Sequence, residues 1–339
     1  MRKNHLMALL MVTTLLILPL NHQMNPVGAE STSCEGLSCA NSWSGSVDQV
    51  VVLRESTAIW CEVCAEVDPV ISDFIEERPD QVTRIAFHPD DGIDYLGNRL
   101  STQQSWKMGQ NPLEAAYPTI WMGDQQATSG LISKNTLHKQ FLASAGTSQQ
   151  EISVITHNRS SYGDVQDDYW SLEIRSHLPT TMNGTYTFII SEDRVEIEYP
   201  ASYNGIKFHA GVARAGVVIN SSTGEIIFSE PVNSWILGNI SNPSGDQTFI
   251  NLTYQFPYHQ EHISDNSKLT IIAENSIGQT IAAATTPKFV VQSNPTFSST
   301  AKIGLSLMLV GLLLASPLLN SRKMAKTELN EKVAAESEE

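Results

Sequence analysis

The fold and the chemistry expected of this chain are decided by one stretch of sequence, Trp60-Cys61-Glu62-Val63-Cys64. The stretch follows an apolar strand predicted over 50–54 and opens a helix predicted over 62–77 from the spacing of its apolar residues. A thiol at a helix N-terminus feels the positive end of the helix dipole, which favours its thiolate. Cys61 is therefore the expected attacking thiol, and Cys64, one turn into the helix, can resolve a mixed disulfide.

The chain after this helix continues to alternate strands and helices. A second strand is predicted over 82–87, and the order strand, helix, strand favours a parallel pair joined by a crossover. The further elements predicted for this part are a helix over 97–108, a strand over 119–122, its hairpin partner over 128–132 and a closing helix over 135–143.

The cysteine pair and two further features resemble the thioredoxin superfamily. One feature is a carboxylate, Glu55, that precedes Cys61 by six residues. The other is Tyr117-Pro118-Thr119, which is similar to the cis-proline element of that family. The resemblance covers residues 47–146 and implies that they form an α/β thioredoxin-like domain.

The resemblance also implies roles for individual residues. The residues implied as catalytic are Cys61, Cys64, Pro118, Glu55 and Trp60, and those implied to bind substrate are Tyr117 and Thr119. Glu55 would relay a proton to or from Cys64, and Pro118 would pack beside the two sulfurs. Tyr117 would offer backbone hydrogen bonds to a substrate strand. No cofactor is implied.

Two departures from the family pattern bear on the chemistry. Glu62 and Val63 replace the frequent Gly-Pro between the cysteines, and a carboxylate next to Cys61 opposes thiolate formation by like charge. Cys61 is therefore expected to be less acidic than the same cysteine in strong oxidants. Glu55 stands where an aspartate is more usual, and its side chain is one methylene longer. Its proton-relay role therefore departs from the family pattern in the reach of the carboxyl group.

The second half of the chain, 150–285, changes to a period of two. Apolar and polar residues alternate in about eight short runs separated by Asn, Gly, Ser and Pro, a pattern typical of half-buried strands. This predicts an immunoglobulin-like or fibronectin-like sandwich after the thioredoxin-like domain. Five glycosylation sequons lie here, as expected of an exported glycoprotein, and support an extracytoplasmic location: Asn158, Asn183, Asn220, Asn239 and Asn251.

Both ends of the chain carry apolar runs. A basic start and an apolar run ending at Leu20 predict a secretory signal peptide. A charge-free run followed by basic residues predicts one transmembrane helix with a cytoplasmic C-terminus. The predicted segments are a signal peptide over 1–29, a spacer over 30–46, a linker over 286–302, a transmembrane helix over 303–319 and a cytoplasmic tail over 320–339. We therefore expect a single-pass protein of the cell membrane with extracytoplasmic N-terminal domains.

The charge of the chain argues against a nucleic-acid partner. Acidic residues number 36 against 21 basic ones, so the chain lacks the positive footprint of a nucleic-acid binder.

Cys34 and Cys39 are separated by four residues and are expected to close a small structural disulfide in an oxidising compartment. The alternative is that they exchange with Cys61 and Cys64.

Three functions remain open from the sequence. The first is a membrane-tethered thiol-disulfide oxidoreductase acting on thiols or disulfides of exported proteins. The second is a redox-inert scaffold whose sandwich binds a partner. The third is copper or zinc delivery through Cys61, Cys64 and His88, although no metal site is predicted as such. For His88 itself, the favoured interpretation is a loop residue beside a turn.

Overall fold

The computed structural model describes residues 39–112, 114–145, 149–159, 169–197, 203–242, 245–257 and 266–288, all within one compact unit. The predicted signal peptide, the predicted transmembrane helix and the tail lie outside these residues, as does nearly all of the predicted linker. Cys34 and the side chain of Cys39 also lie outside them, so their disulfide remains a prediction.

The predicted localisation in the cell membrane is contradicted in the part of the chain that the structure describes. No helix among these residues is long and apolar enough to cross a lipid bilayer. The run proposed as the membrane anchor, 303–319, is outside the described residues.

The described residues form three helices and sixteen strands. The helices are α1 (Glu62–Glu76), α2 (Arg99–Lys107) and α3 (Lys134–Ser144). The strands are β1 (Cys39–Asp48), β2 (Val51–Ser56), β3 (Val82–Phe87), β4 (Thr119–Met122), β5 (Thr128–Ser129), β6 (Gln149–Arg159), β7 (Tyr169–Pro179), β8 (Thr185–Glu192), β9 (Val195–Glu196), β10 (Phe208–His209), β11 (Val212–Asn220), β12 (Ile226–Glu230), β13 (Trp235–Ser241), β14 (Gln247–Pro257), β15 (Ser267–Glu274) and β16 (Thr280–Thr285).

Each helix begins at a side chain that accepts a backbone hydrogen bond. The Cys61 sulfur accepts from the Cys64 amide at the start of α1. The Asn98 side chain accepts from the Ser101 amide ahead of α2, and Ser133 fills the same position ahead of α3. Such caps satisfy backbone donors that a helix leaves without an intrahelical partner, and here they fix where each helix starts.

The predicted fold class, an α/β thioredoxin-like domain followed by an all-β immunoglobulin-like or fibronectin-like sandwich, is wrong. Strands from both predicted domains pair in one mixed sheet of nine strands, in the order β16-β15-β8-β11-β3-β2-β4-β5, with β12 also on β11. A second, antiparallel sheet has the order β1-β6-β7-β14-β13 and includes a strand from the predicted spacer. Beta structure therefore dominates, and the boundary expected near residue 146 does not separate the sheets.

The two parts of the nine-stranded sheet join where β3 meets β11. Val212 pairs in parallel with Ala86, and the Ala86 amide donates to the Gly211 carbonyl at 2.7 Å. Gly211 has a φ of 68°, and a Cβ at this position would lie 2.7 Å from the carbonyl oxygen of Arg84. Only glycine allows the two strands to approach this closely.

Three apolar clusters fill the layers around this sheet. One lies between β2, β3, β4 and the helices α1 and α3, and includes Leu53, Ile71, Phe74, Ile120 and Phe141. Another includes Leu100 of α2 together with Ile85, Phe87, Ile189 and Ile272 of the sheet. The third lies between the two sheets and includes Ile174, Phe188, Val217, Tyr254 and Ile271. The second cluster contains residues from both predicted domains. This shared packing explains why the two parts of the chain form one compact unit.

A buried ion pair also joins the two parts. Arg54 of β2 donates to Glu274 of β15 at 3.1 Å, and both side chains are almost fully buried. Glu274 also accepts hydrogen bonds from Lys107 of α2 and Thr185 of β8. One carboxylate thus connects four elements that come from both halves of the sequence.

We predict that Glu274→Ala destabilises the whole unit, because it leaves the Arg54 guanidinium buried without its carboxylate. The expected loss in the free energy of unfolding is about 3–5 kcal/mol. Urea unfolding followed by circular dichroism and by tryptophan fluorescence measures it, and the two signals should change together in one transition. The matched control is Glu196→Ala, which removes a surface pair with Lys207 and should cost less than about 1 kcal/mol. Equal losses for the two variants would contradict the linking role of Glu274.

Candidate functional site

The two cysteines form a disulfide at the N-terminus of α1. Cys61 is the N-cap residue, and its sulfur accepts the Cys64 amide hydrogen bond at 3.0 Å. The Cα atoms of Cys61 and Cys64 are 5.2 Å apart. Cys61 keeps 6% of its surface exposed, whereas Cys64 is fully buried. A thiol arriving from solvent therefore meets Cys61 first.

Two aromatic side chains flank the disulfide. The rings of Trp60 and Tyr117 pack edge to face with their centres 5.3 Å apart, and Tyr117 packs against the cysteine pair. The Trp60 indole donates to Asp91 at 3.0 Å, yet the Trp60 side chain remains partly exposed. Burial, together with the charges of Asp91 and Asp94, raises the pKa of Tyr117 to about 12. Tyr117 is therefore a neutral, largely apolar wall beside the sulfurs.

The segment predicted to bind substrate is also built into the sheet. The Tyr117–Pro118 peptide bond is cis. The Pro118 carbonyl accepts the Gly130 amide at 2.9 Å, and Thr119 is buried with its hydroxyl bonded to Ala116 and Ser129. The Thr119 side chain is thus occupied within the protein, and its backbone lies between β2 and β5 in the sheet. The geometry therefore gives no support to Thr119 as a substrate-binding residue.

Glu55 is the next-to-last residue of β2 and is completely buried. Its Oε2 atom receives a hydrogen bond from Arg84 Nε at 2.8 Å, and Arg84 also pairs with Asp68 of α1. Burial raises the pKa of Glu55, while the positive charge of Arg84 acts against this rise. The Oε1 atom has no hydrogen-bond partner among the described residues. Glu55 is therefore a carboxyl group whose proton is held more tightly than usual.

His88 lies in the loop directly after β3, where its side chain is buried in a polar pair. Its Nδ1 atom is 2.8 Å from Asp94 Oδ2, and its ring packs on that of His209 at 5.3 Å. Within the described part of the chain, no group of three or more His, Cys, Asp or Glu residues is arranged to hold a metal ion. The geometry therefore gives no support to metal delivery through His88 and the two cysteines.

Three residues of the site were not found from the sequence: Arg84, Asp94 and Asn204. Arg84 binds Glu55, which is 29 residues away, and Asp94 accepts the Ile59 amide across 35 residues. Asn204 donates to the Ala58 carbonyl across 146 residues. No local pattern marks such residues, because their partners are set by the fold.

Comparison with known proteins identifies no family. No family model matches the chain, and no curated protein matches it. HBP35 of Porphyromonas gingivalis is a solved structure with 13% identity and a TM-score of 0.47, covering 75% of this chain and 81% of its own. Protein AGR_C_4864 from Agrobacterium tumefaciens has 12% identity and a TM-score of 0.40, covering 72% and 97%.

We predict that His209 makes stability depend on pH. Burial, with the nearby His88, lowers the pKa of folded His209 from 6.5 to about 4. Between these pH values, His209 binds a proton in the unfolded chain but not in the folded one. The contribution of His209 to the free energy of unfolding is therefore fully present above pH 6.5 and is lost as the pH falls towards 4. The loss should approach roughly 3 kcal/mol. Urea unfolding of wild type and His209→Gln at a series of pH values measures it, and parallel pH profiles for the two proteins would contradict the prediction.

Proposed function

We propose that this protein is a thiol-disulfide oxidoreductase that exchanges disulfides with cysteines of other proteins through Cys61 and Cys64. The observation that carries the proposal is the disulfide at the start of α1, in which the first sulfur is near the surface and the second is buried. This asymmetry is what a two-step exchange requires, because one sulfur meets the substrate and the other completes the reaction.

The exchange balances as a transfer of two electrons. A substrate thiolate attacks Cys61 Sγ, the Cys61–Cys64 bond breaks, and Cys64 leaves as a thiolate that takes up a proton. A second substrate thiolate then attacks the substrate sulfur of the mixed disulfide and releases Cys61. The substrate dithiol is oxidised to a disulfide, and the cysteine pair is reduced to two thiols. Reduction of a substrate disulfide follows the same steps in reverse.

Local charges act on the Cys61 thiolate in opposite directions. The Cys64 amide donates to the Cys61 sulfur, and the N-terminus of α1 adds its positive dipole, so both favour the thiolate. The carboxylate of Glu62, the next residue, opposes it by like charge. Cys61 should therefore be a moderate rather than an extreme leaving group in the mixed disulfide.

The resemblance to the thioredoxin superfamily agrees with this chemistry and remains a prediction. It assigns substrate backbone contacts to Tyr117 and a proton relay to Glu55. The buried position of Glu55 and its raised pKa support the relay, because a raised pKa brings the carboxyl group closer to the pKa of the thiol with which it would exchange a proton.

The redox potential of the cysteine pair separates exchange from an inert scaffold. In glutathione buffers, an exchanging pair should equilibrate between about −120 and −270 mV, the range of known oxidoreductases. A structural disulfide would stay closed below about −300 mV. Trapping free thiols with an alkylating mass tag measures the fraction of each form.

We predict that Cys64→Ser traps substrates as mixed disulfides on Cys61, because the resolving thiol is missing. On incubation with unfolded proteins that carry a disulfide, the Cys61 thiolate should attack that disulfide, form the mixed disulfide and release one substrate thiolate. The trapped species should appear as larger bands on non-reducing gels, and they should vanish with dithiothreitol. The matched control is Cys61→Ser, which leaves only the buried sulfur and should trap nothing. Equal trapping by both variants, or by neither, would argue against the proposed attack on Cys61.

We also predict that Glu55→Gln slows resolution of the mixed disulfide by roughly 100-fold near neutral pH, the usual effect of losing a proton-transfer group. The wild-type rate should show a titration above the ordinary range of a glutamate carboxyl, and this titration should be absent in the variant. Stopped-flow tryptophan fluorescence measures the rate. Asp68→Asn is the comparison variant: it removes the other carboxylate bound to Arg84, whose charge raises the pKa of Glu55. In this variant the titration should move to lower pH but should still be present. Similar rates for wild type and Glu55→Gln would remove Glu55 from the mechanism.

A further inference from the structure

The turn that carries the first sulfur, Ala58–Cys61, is held by residues from two distant parts of the chain. The Cys61 amide donates to the Ala58 carbonyl at 3.1 Å and closes the turn. Asp94 accepts the Ile59 amide at 2.9 Å from one side. Asn204, which lies between β9 and β10, donates hydrogen bonds to carbonyl groups of the turn.

Asn204 makes three hydrogen bonds to this turn. Its side-chain Nδ2 donates to the carbonyl oxygens of Ala58 at 3.1 Å and of Cys61 at 3.2 Å. Its backbone amide donates to the Ile59 carbonyl at 2.9 Å. The side-chain oxygen accepts from the Ile206 amide at 3.0 Å, which fixes the orientation of the amide group. Both side-chain donors are therefore directed at the turn.

The surroundings make these bonds important for the shape of the turn. Ala58 and Ile59 are fully buried, so solvent does not replace a lost partner of their backbone groups easily. Ile59 also packs with Leu96 and with Ile197 and Val212. The part of the chain once expected to form a separate sandwich thus supplies both the donors and part of the packing for the turn.

We propose that Asn204 is a positioning residue of the Cys61–Cys64 pair, an inference that rests on the proposed exchange function. In the oxidised protein the disulfide itself restrains the turn. When the disulfide opens, the hydrogen bonds from Asn204 keep Cys61 at the distance and orientation from which Cys64 can reach it. They therefore raise the effective concentration of one sulfur at the other.

The sign of the expected effect follows from this difference between the two states. Loss of the Asn204 donors gives more freedom to the reduced protein than to the oxidised one, so it favours the reduced thiols. The mixed disulfide should also last longer, because Cys64 finds Cys61 less often. A residue that only stabilised the fold would leave both quantities unchanged in the folded protein.

The test compares wild type with Asn204→Ala and Asn204→Asp in glutathione buffers. Asn204→Asp keeps the size of the side chain and the acceptor for Ile206 but has no donor for the turn, so it serves where Asn204→Ala folds poorly. We expect both variants to lower the equilibrium constant for closing the Cys61–Cys64 disulfide by about tenfold. Acid quenching and mass spectrometry should show a correspondingly longer-lived adduct of glutathione on Cys61.

A matched control and two contrary outcomes complete the test. Asn275→Ala removes an asparagine side chain that binds its own turn between β15 and β16, and it should keep the wild-type equilibrium constant and adduct lifetime. Wild-type values in both Asn204 variants, with an exchanging wild type, would overturn the inference and leave the proposed function intact. A wild-type pair that never equilibrates with glutathione would overturn the proposed function and this inference with it.

Discussion

The close approach of β3 and β11 is the constraint on which the rest of the structure depends. At this point the Ala86 amide bonds to the Gly211 carbonyl, and a side chain larger than hydrogen at Gly211 would collide with the backbone of Arg84. The contact turns two groups of strands into one mixed sheet. Ala86 is two residues from Arg84, and Gly211 is two residues from His209 of β10, so the sheet junction and the polar groups behind the disulfide form one connected region.

The candidate site is assembled around the disulfide from both parts of this sheet. The sulfurs come from the start of α1, whereas the charged groups near Glu55 are the buried Arg84 of β3 and the partly exposed Asp68 of α1. Asp94 and Asn204 then hold the turn before the helix from opposite parts of the chain. The turn is thus held by local helix capping and by long-range hydrogen bonds, which involve different atoms of the turn.

Local features of the fold could be predicted, whereas the arrangement of the sheets could not. The helix predicted over 62–77 is present as Glu62–Glu76, because its apolar spacing and its capping position are local properties. The strand patterns in the second half were also recognisable by their period of two. That period says which residues are buried and not which strand is the neighbour, so the pairing of Val212 with Ala86 left no trace in the sequence. For the same reason the cysteine pair was found, but Arg84 and Asn204 were not.

The long separation between Asn204 and the turn has a consequence for the order in which the protein is made. The ribosome releases Cys61 and Cys64 well before Asn204, which follows Cys61 by 143 residues. During that interval the two thiols are already close in sequence and free to oxidise, whereas the residues that later restrain their turn do not yet exist. The growing chain therefore carries the cysteine pair first without the hydrogen bonds of Asn204, and the turn acquires them only when the segment that contains Asn204 has folded onto it.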